Sequence, residues 1–373
     1  MTLICLISGQ LAPNLLSVIK LKPKRVVLVH TIDTASAAIH FKELITKRYD
    51  VRHTKMVEVV PFNPGKLYEQ AQTSLNELIG DEIILNYTGG TKPISIQFSK
   101  VFEEAGALLL YTDTQQECFW RTKVGEVQEE PFDFRFKLPT YFDLKQVSIR
   151  SQTDANQIDK LKELTEYLFE EREKGGISDL KPFIDEAVLN RTSSQSVHLW
   201  NPSFGNASFL VENYNNDRDR ISVKWNGEAF EAKNKEFWLE YFTGGWFEQW
   251  VYLKLIEQGH LDDVRCNVTI RPNSESRSNQ LKSEIDVAAI YNAVPIFIEC
   301  KSGRVDQKSI TNLKAIRDEY GPHYSQAVIV SFYPVKDKVL LEKISDYGLI
   351  LIEGPDDLEP RLNRLIENMV VRL

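Results

Sequence analysis

The first 150 residues alternate short, continuous apolar runs with stretches of helical periodicity. Continuous apolar runs are typical of strands buried on both faces, and regular alternation with helices favours a parallel sheet covered on both sides. The sequence therefore predicts a doubly wound α/β domain. The predicted strands are Leu3–Ser8, Arg25–Thr31, Thr54–Val60, Glu82–Asn86 and Ala107–Tyr111, and the predicted helices cover 11–20, 34–47, 65–79 and 92–105.

Ligands of such sheets bind beyond the carboxyl ends of the strands, and the fourth predicted strand ends in the most distinctive sequence. Asn86 is followed by Tyr-Thr-Gly-Gly-Thr-Lys-Pro. Gly89 and Gly90 allow a tight turn and a close backbone approach to a ligand. Thr91 can cap the next helix, whose free N–H groups together with Lys92 predict an anion site. The loop is neither a Walker A sequence nor G-x-G-x-x-G, so it predicts neither an ATPase nor a dehydrogenase. A plain, well-capped turn is the alternative.

This strand end, Asn-x-Thr-Gly-Gly-Thr-Lys on the fourth strand of a Rossmann-like order, resembles that of the CARF domain, the CRISPR-associated Rossmann fold. The resemblance implies that the domain binds a cyclic oligoadenylate, and family habit favours cyclic tetra-adenylate over the six-membered ring. It also implies a homodimer with the ligand on its two-fold axis. The ligand-binding residues that it implies are Ser8, Gly9, Gln10, Thr31, Thr88, Gly89, Gly90, Thr91 and Lys92.

A second distinctive stretch, Lys282–Lys301, contains two β-rich runs on either side of Asn292-Ala293. This pattern predicts a two-residue β-hairpin in which Tyr291 faces Val294. In that register one face of the hairpin is apolar and belongs to the core. This face carries Ile285, Val287, Ala289, Ile296, Ile298 and Cys300.

The opposite face of the hairpin carries charged residues. Asp286 faces Glu299 there, and Glu284 faces Lys301. Two carboxylates directly opposite each other destabilise a sheet unless a divalent cation such as Mg²⁺ or Mn²⁺ lies between them. Lys301 projects on the same side as Glu299, where an ammonium group can orient an attacking water or stabilise a developing phosphate charge. The pattern favours a metal-dependent phosphodiesterase over a solvated face with one ion pair.

The hairpin resembles that of the PD-(D/E)xK family, the restriction-endonuclease-like nucleases, whose motif corresponds here to Asp286, Glu299 and Lys301. The proline that precedes the aspartate in the family is absent, and Ile285 stands in its place. The resemblance implies that Mn²⁺ or Mg²⁺ binds to Asp286, Glu299 and the main-chain carbonyl of Cys300. It assigns catalytic roles to all three motif residues.

The same family usually adds an acidic residue from a preceding helix, and Glu248 fits that place. Glu248 lies within Gly-Gly-Trp-Phe-Glu-Gln-Trp-Val, so its aromatic neighbours predict a partly desolvated carboxylate. The alternative is a glutamate at a helix start, stabilised there by the helix dipole. The predicted catalytic set is therefore Glu248, Asp286, Glu299 and Lys301.

The segment from Ser151 to Gly176 is polar and charged but keeps apolar residues at helical spacing. This pattern predicts an amphipathic linker helix. The chain beyond it alternates helices and strands around the hairpin, as in the α/β core of restriction-like nucleases. The predicted organisation is a CARF domain over residues 1–150, a linker helix over 151–176 and a nuclease domain over 177–373.

Composition limits the classes of partner. The net charge of −8 argues against general, charge-driven binding of nucleic acid but leaves room for a local basic cleft. Basic residues near the hairpin suit a phosphate-backbone substrate, and an ordinary solvated face is the alternative. They are Arg271, Arg277, Lys282, Arg304, Lys308 and Lys314.

The cysteines and the apolar stretches bear on localisation. The four cysteines lie far apart without Cys-x-x-Cys spacing, so no zinc site is predicted and a reducing compartment fits. No targeting segment is visible, and no apolar stretch approaches the roughly 20 residues that span a bilayer. The sequence predicts a cytoplasmic protein without a membrane partner.

The two resemblances together imply a homodimeric nuclease of type III CRISPR antiviral defence that a cyclic oligoadenylate activates. Its expected substrates are DNA, which it nicks or degrades, and single-stranded RNA as a further substrate. Two alternatives stay open: a ring nuclease whose first domain degrades the cyclic ligand, and a ligand-sensing regulator that binds DNA without cutting it. The ring size of the activator, the metal and the strandedness of the substrate stay undetermined by the sequence.

Overall fold

The predicted parallel sheet is present in the computed structural model, which describes residues 1–78, 82–174, 197–199, 209–213, 221–225, 228–232, 235–273, 282–322 and 325–371. Its strands are β1 (Thr2–Leu6), β2 (Arg25–His30), β3 (His53–Glu58), β4 (Ile83–Asn86), β5 (Leu108–Asp113), β6 (Cys118–Lys123) and β7 (Glu126–Pro131). They follow the order β3-β2-β1-β4-β5-β6-β7, with the first five parallel and the last two antiparallel. The doubly wound α/β fold of the N-terminal domain is therefore confirmed.

Four helices cover this sheet: α1 (Ala12–Leu21), α2 (Ala35–Arg48), α3 (Pro64–Asn76) and α4 (Lys92–Glu104). Neighbouring residues of β1 pack against different helices, because successive side chains of a strand point to opposite faces. Ile4 shares a cluster with Phe98 of α4. Leu3 shares another with Phe41 of α2. Both faces of the sheet are buried, which explains the continuous apolar runs.

The other described strands form two more sheets. They are β8 (Val147–Ser151), β9 (Val197–Leu199), β10 (Phe209–Asn213), β11 (Ile221–Trp225), β12 (Glu228–Ala232), β13 (Asp263–Pro272), β14 (Ser283–Tyr291), β15 (Val294–Lys301), β16 (Gln326–Ser331) and β17 (Ile350–Glu353). Strands β9 to β12 form a small antiparallel sheet. The larger sheet has the order β17-β16-β15-β14-β13-β8, in which β15, β16 and β17 are parallel and the other pairs are antiparallel.

Helices cover both faces of the larger sheet. They are α5 (Leu138–Leu144), α6 (Ala155–Lys160), α7 (Lys162–Glu173), α8 (Lys235–Glu240), α9 (Trp246–Glu257), α10 (Gln307–Tyr320), α11 (Lys338–Asp346) and α12 (Leu358–Val371), with a π-helical turn at Tyr241–Gly245 between α8 and α9. Val287 of β14 packs with α9 and α12 on one face. Its neighbour Ala288 packs with α5 and α10 on the other. This arrangement places the first turn of α9 beside the hairpin.

Strand β8 lies in the larger sheet, although residues 147–150 precede the predicted end of the first domain. It pairs antiparallel with β13, for example through Ile149 and Ile270. The segment predicted as a linker helix forms α6 and α7, and Leu164 of α7 lies in the same hydrophobic cluster as Trp250 of α9. The proposed boundary at residue 177 lies outside the described residues. The domain limits stay a prediction.

One hydrophobic cluster is shared by the two sheets. It contains Phe41 and Ile45 from the first domain together with Ala288 and Leu313 from the second. A polar contact crosses the same boundary, because Asn292 Nδ2 in the hairpin turn donates to the carbonyl oxygen of Gln115, between β5 and β6, at 3.3 Å. The two domains are therefore packed against each other over a buried surface.

Two further observations concern the membrane and the cysteines. Within the described ranges, no helix has the length and apolar character that crossing a bilayer requires. All four cysteines, Cys5, Cys118, Cys266 and Cys300, are buried and carry free thiols.

Candidate active site and ligand-binding loops

The hairpin of β14 and β15 has the predicted register. Tyr291 pairs with Val294, and the ladder continues in step as far as Val287 and Ile298. Asn292 and Ala293 both have positive φ, at 51° and 61°. Two successive residues in this conformation are typical of a type I′ turn, whose twist matches that of antiparallel strands. The local sequence thus fixes which residues approach each other along the hairpin.

The predicted apolar face is interrupted at Asp286. Val287 packs in the cluster of α9, whereas Ile285 packs in the cluster shared with the first domain. The prediction that both residues share one face is therefore wrong. The neighbouring strand β13 changes at the same place: Asn267, opposite Asp286, has a φ of 50° and leaves the regular strand conformation. Cys266 and Val268 on either side of it also lie in different clusters.

The carboxylate of Asp286 is held next to β15. Asp286 immediately precedes Val287, which pairs with Ile298 at the end of the β14–β15 ladder. Its Oδ2 accepts the backbone N–H of Cys300 at 2.7 Å. Burial, together with repulsion by Glu299, raises the pKa of Asp286 to about 7, although the hydrogen bond from Cys300 opposes the shift. The raised pKa means that a second negative charge nearby is costly unless a cation balances it.

Lys301 lies beside Glu299, and the predicted pairing of Lys301 with Glu284 is wrong. The Lys301 Nζ is 2.7 Å from Glu299 Oε1, and the two side chains are only 27% and 13% exposed. Glu284 is exposed and pairs with Lys282. Burial alone lowers the pKa of Lys301, but the attraction of Glu299 outweighs it and the pKa stands above its ordinary value. Lys301 is therefore a protonated ammonium group at neutral pH.

Glu248 stands in the first turn of α9, and the aromatic residues beside it are buried, as the predicted desolvation requires. Trp246, Phe247 and Trp250 are each at most 1% exposed. Burial raises the pKa of Glu248 well above its usual range, and repulsion by Asp286 adds to the effect. Glu248 also lines a cavity of about 290 Å³ together with residues of β13 and the π-helical turn. The carboxylates of α9 and the hairpin thus form one interacting group.

The donor set suits a hard divalent cation. In the described part of the chain, no group of three or more His, Cys, Asp or Glu side chains has the arrangement of a metal cluster. The predicted set differs from such a cluster because it combines two carboxylates, Asp286 and Glu299, with the carbonyl of Cys300. Burial raises the pKa of the Cys300 thiol well above its ordinary value, so the thiol stays protonated. Oxygen donors with excess negative charge fit Mg²⁺ or Mn²⁺.

The predicted ligand-binding loops meet at the carboxyl edge of the first sheet. A Cβ atom on Gly89 would lie 2.0 Å from the carbonyl oxygen of Leu6, so the loop after β4 touches the end of β1. Gly90 has a φ of 79°, in the region that favours glycine. Gly9 and Gln10, which follow β1, are exposed. These loops present backbone and small side chains to solvent at one place.

The threonines of these loops already have hydrogen-bond partners. The Thr88 hydroxyl donates to Asn86 Oδ1 and accepts the N–H of Thr112, both at 2.7 Å. The Thr91 hydroxyl donates to the carbonyl of Pro61 at 2.7 Å and caps α4. Thr31 is 4% exposed and caps a short 3₁₀ turn. Ser8 bonds within its own loop, and Lys92 is exposed.

A buried polar network behind the loop was not predicted. Asn86 is fully buried, and its Nδ2 donates to Ser17 Oγ at 2.7 Å and to the carbonyl of Pro13 at 3.2 Å. Ser17 in turn bonds to Thr112 at 3.0 Å. The signal in the sequence is an asparagine directly after three apolar strand residues. This network fixes the loop after β4 relative to α1 and β5.

Two family models match the chain. The Card1 CARF domain matches residues 2–141, and the Card1-like endonuclease domain matches residues 235–372. Their limits contain the predicted ligand-binding loops and the predicted catalytic residues, respectively.

Solved structures share the fold of the whole chain. Protein VC1899 from Vibrio cholerae has a TM-score of 0.72 and 16% identity, with 99% of this chain and 98% of that chain covered. Can2 from Sulfobacillus thermosulfidooxidans, solved with cyclic tetra-adenylate, has a TM-score of 0.68 and 16% identity, with 98% and 99% covered.

A third structure, a type III CRISPR defence DNA nuclease activated by cyclic oligoadenylate, has a TM-score of 0.55 and 14% identity. The match covers 98% of this chain and 52% of that structure's chain. No curated protein sequence matches this chain significantly.

Proposed function

Because the chain joins a Card1 CARF domain to a Card1-like endonuclease domain, we propose that it is a metal-dependent nuclease of type III CRISPR defence, activated by a cyclic oligoadenylate. One observation carries the nuclease proposal: the desolvated carboxylates of Asp286 and Glu248 interact with the Glu299–Lys301 pair. Two structures of the same fold support cyclic tetra-adenylate as activator and DNA as substrate. Single-stranded RNA is the further substrate that we propose.

The proposed reaction is hydrolysis of a phosphodiester bond. Asp286, Glu299 and the Cys300 carbonyl would hold Mn²⁺ or Mg²⁺, which supplies Lewis-acid activation of the phosphate when bound. Lys301 orients the attacking water or balances the negative charge that develops on the phosphate oxygens. Glu248 would support the metal or its water.

The ligand-binding edge supports a homodimer. Ile32 and Phe62, which follow β2 and β3, are both 71% exposed, and Ile96 in α4 is 61% exposed. Large apolar side chains exposed around one edge are typical of an interaction surface. A second copy that docks there would place two sets of loops around one ring-shaped ligand. Each subunit then contributes the same surface, as a two-fold interface requires.

Sedimentation of the Phe62→Asp variant tests the dimer. We expect the parent protein to sediment as a dimer and the variant as a monomer, because a charge is buried without a partner in the interface. Val124→Asp is the matched control, since Val124 is 79% exposed in the turn between β6 and β7. A monomeric parent protein, or a dimeric Phe62→Asp variant, contradicts this assignment.

A cleavage experiment tests the nuclease proposal. The full chain is incubated with Mn²⁺ and supercoiled plasmid, single-stranded DNA or RNA, with and without cyclic tetra-adenylate. We expect cutting that requires the ligand and is lost in Glu299→Ala. Glu284→Ala is the matched control, because Glu284 is exposed and pairs with Lys282. Cutting in Glu299→Ala at the rate of the parent protein would overturn the assigned site.

The same experiment separates the two alternative functions. A ring nuclease consumes the cyclic tetra-adenylate and leaves every nucleic-acid substrate intact. A regulator that does not cut retains DNA in a binding assay with Ca²⁺ and gives no product with Mn²⁺. Either result contradicts the nuclease proposal.

A further inference from the structure

A cavity of about 920 Å³ begins directly after the catalytic lysine. One wall is the turn Ser302–Arg304 that follows β15, and another is the loop Tyr333–Asp337 that follows β16. Arg172, near the end of α7, and residues of the π-helical turn complete it. Its volume lies within the roughly 300–1,000 Å³ of sites for small-molecule-sized ligands. Since it adjoins Lys301, whatever fills it lies next to the proposed reaction centre.

Tyr333 gives this cavity a partly exposed aromatic ring in a fixed position. The side chain is 41% exposed. Its ring packs edge-on against Phe332, with centroids 5.2 Å apart, and Ser331 Oγ donates to the Tyr333 carbonyl at 2.7 Å. The Cζ atom of Arg172 lies 5.3 Å from the ring centroid. An ordered, exposed aromatic ring is a surface on which an unpaired nucleobase stacks.

The charge around the cavity is positive. Arg304 and Lys336 are exposed, and within the described residues neither has a carboxylate at salt-bridge distance. Asp337 is the acidic residue among the lining residues, and its side chain caps α11 by accepting the N–H groups of Val339 and Leu340. The cavity therefore favours an anionic ligand.

Arg172 adds a positive charge inside the wall. Its Nη2 donates to the carbonyl oxygen of Ser302 at 2.7 Å. Its Nε is buried and has no hydrogen-bond partner in the part of the chain that the structure describes. The guanidinium also lies over the ring of Trp246 at 5.7 Å. A partly buried guanidinium without a carboxylate is stabilised when a phosphate approaches.

We propose that this cavity binds one unstacked nucleotide of the nucleic-acid substrate, next to the phosphate that is cut. The base stacks on Tyr333, and the flanking phosphate contacts Arg172, Arg304 and Lys336. This inference rests on the proposed nuclease function and specifies how its substrate is held. A base within a duplex has no free face, so the nucleotide in this cavity is unpaired when it binds.

Binding to a single strand tests the role of Tyr333. The full chain carries Glu299→Ala to prevent cutting, and cyclic tetra-adenylate is present. The probe is a fluorescein-labelled single-stranded DNA, read by anisotropy. Loss of one stacked base weakens binding by about tenfold, so we expect this loss in Tyr333→Ala and near-parent affinity in Tyr333→Phe. Tyr347→Ala is the matched control, because Tyr347 is half-buried in the same domain and does not line the cavity.

Two further readouts separate stacking from a merely structural effect. A strand that contains 2-aminopurine reports stacking directly, and we expect its quenching by the parent protein to disappear in Tyr333→Ala. In Lys336→Ala we expect the slope of log affinity against log salt concentration to fall by about one, as for one lost phosphate contact. Equal affinity and equal quenching in Tyr333→Ala would overturn the inference.

Cutting assays distinguish failure of the subsite from failure of the proposed function. The parent chain without Glu299→Ala is compared with its own Tyr333→Ala variant. If the parent cuts and the variant cuts and binds equally well, the subsite is wrong and the nuclease function stands. If the parent neither binds nor cuts nucleic acid, both are wrong.

Discussion

The charge balance of the nuclease site depends on one residue, Lys301. The carboxylates of Glu248 and Asp286 are desolvated, and Glu299 adds a further negative charge. Lys301 lies 2.7 Å from Glu299, and its positive charge also attracts Glu248 and Asp286. Removing it leaves the three carboxylates to repel one another. In the proposed reaction Lys301 would also balance the negative charge that develops on the phosphate.

Replacement of Lys301 by alanine is expected to lower the single-turnover cleavage rate by about 100- to 1,000-fold, the cost of losing one charge-stabilising group. Binding of cyclic tetra-adenylate should be unchanged, because the ligand-binding loops lie in the other domain. Lys162→Ala is the control, since this lysine of α7 is exposed and pairs with Glu257. A rate within about threefold of the parent would show that Lys301 has no such role.

A second residue couples stability to pH. Burial, together with repulsion by Glu117, raises the pKa of Asp262 from 3.8 to about 6. Its Oδ2 accepts the N–H of Asn292 at 3.0 Å. Because the pKa is higher in the folded chain than in the unfolded one, folded molecules bind more protons between about pH 4 and pH 6. The contribution of this group to stability is therefore greatest below about pH 4 and is lost as the pH rises through 6.

Replacement of Asp262 by asparagine should stabilise the protein at pH 8 and not at pH 4. The asparagine keeps an oxygen that can accept from Asn292 but carries no charge. After allowance for solvent screening, the gain in free energy of unfolding at pH 8 is on the order of 1 kcal/mol. Denaturant unfolding at the two pH values measures it. An equal change at both would mean that the charge of Asp262 is not the cause.

At the scale of elements, the loop between β4 and α4 is held from several sides. Thr88 is hydrogen-bonded to Asn86 and to Thr112. Thr91 is hydrogen-bonded to the carbonyl of Pro61, which follows β3. The carbonyl of Leu6 occupies the space that a side chain at Gly89 would need. The loop is thus a rigid part of the sheet edge, and its shape is set by the strands on either side.

The variants Gly89→Ala and Gly9→Ala are expected to differ sharply in melting temperature. A Cβ at Gly89 meets backbone at 2.0 Å, whereas one at Gly9 meets nothing within 4 Å. Overpacking against backbone costs about 3 kcal/mol, so Gly89→Ala should lower the melting temperature and abolish ligand binding. Gly9→Ala should melt like the parent. Thermal melting and isothermal titration with cyclic tetra-adenylate test both, and equal melting of the two variants would contradict the close contact.

At the scale of the whole molecule, a buried cluster packs the two sheets against each other, so we expect them to unfold as one cooperative unit. Phe41 of α2, in the first domain, and Ala288 of β14 belong to that cluster, and the hydrogen bond from Asn292 to the carbonyl of Gln115 crosses the same boundary. Separation of the two sheets would expose apolar surface on both. A change of position in the first domain therefore acts on helices that pack directly against the nuclease sheet.

Ligand binding to the first domain is expected to stabilise the second. Trp238, Trp246 and Trp250 are buried in the nuclease domain and report its unfolding by fluorescence. At 100 times its dissociation constant, cyclic tetra-adenylate adds about 2.7 kcal/mol to a cooperative unit that includes its site. We expect a single transition by tryptophan fluorescence that moves to higher temperature with ligand. A tryptophan transition that the ligand leaves in place would show that the domains unfold independently.

Local sequence by itself determined the features that depend on neighbouring residues. The alternation of apolar runs and helices predicted β1 to β5, because burial on both faces requires continuous apolar strands. Asn292-Ala293 predicted the turn and register of the hairpin. The spacing of Glu299 and Lys301 predicted that both project to one side, and they lie in contact. These are short-range geometric consequences of backbone and spacing.

Only the tertiary structure decided the features that join distant parts of the chain. At Asn267 and Asp286 the paired strands β13 and β14 both depart from strict alternation, so the predicted apolar face is broken there. Arg172 reaches the carbonyl of Ser302 across 130 positions of the chain, and Tyr333 joins the same cavity from another loop. Such contacts depend on how sheets and helices pack, which no local pattern specifies. The sequence predicted which strand carries the proposed catalytic residues, and the fold determined what surrounds it.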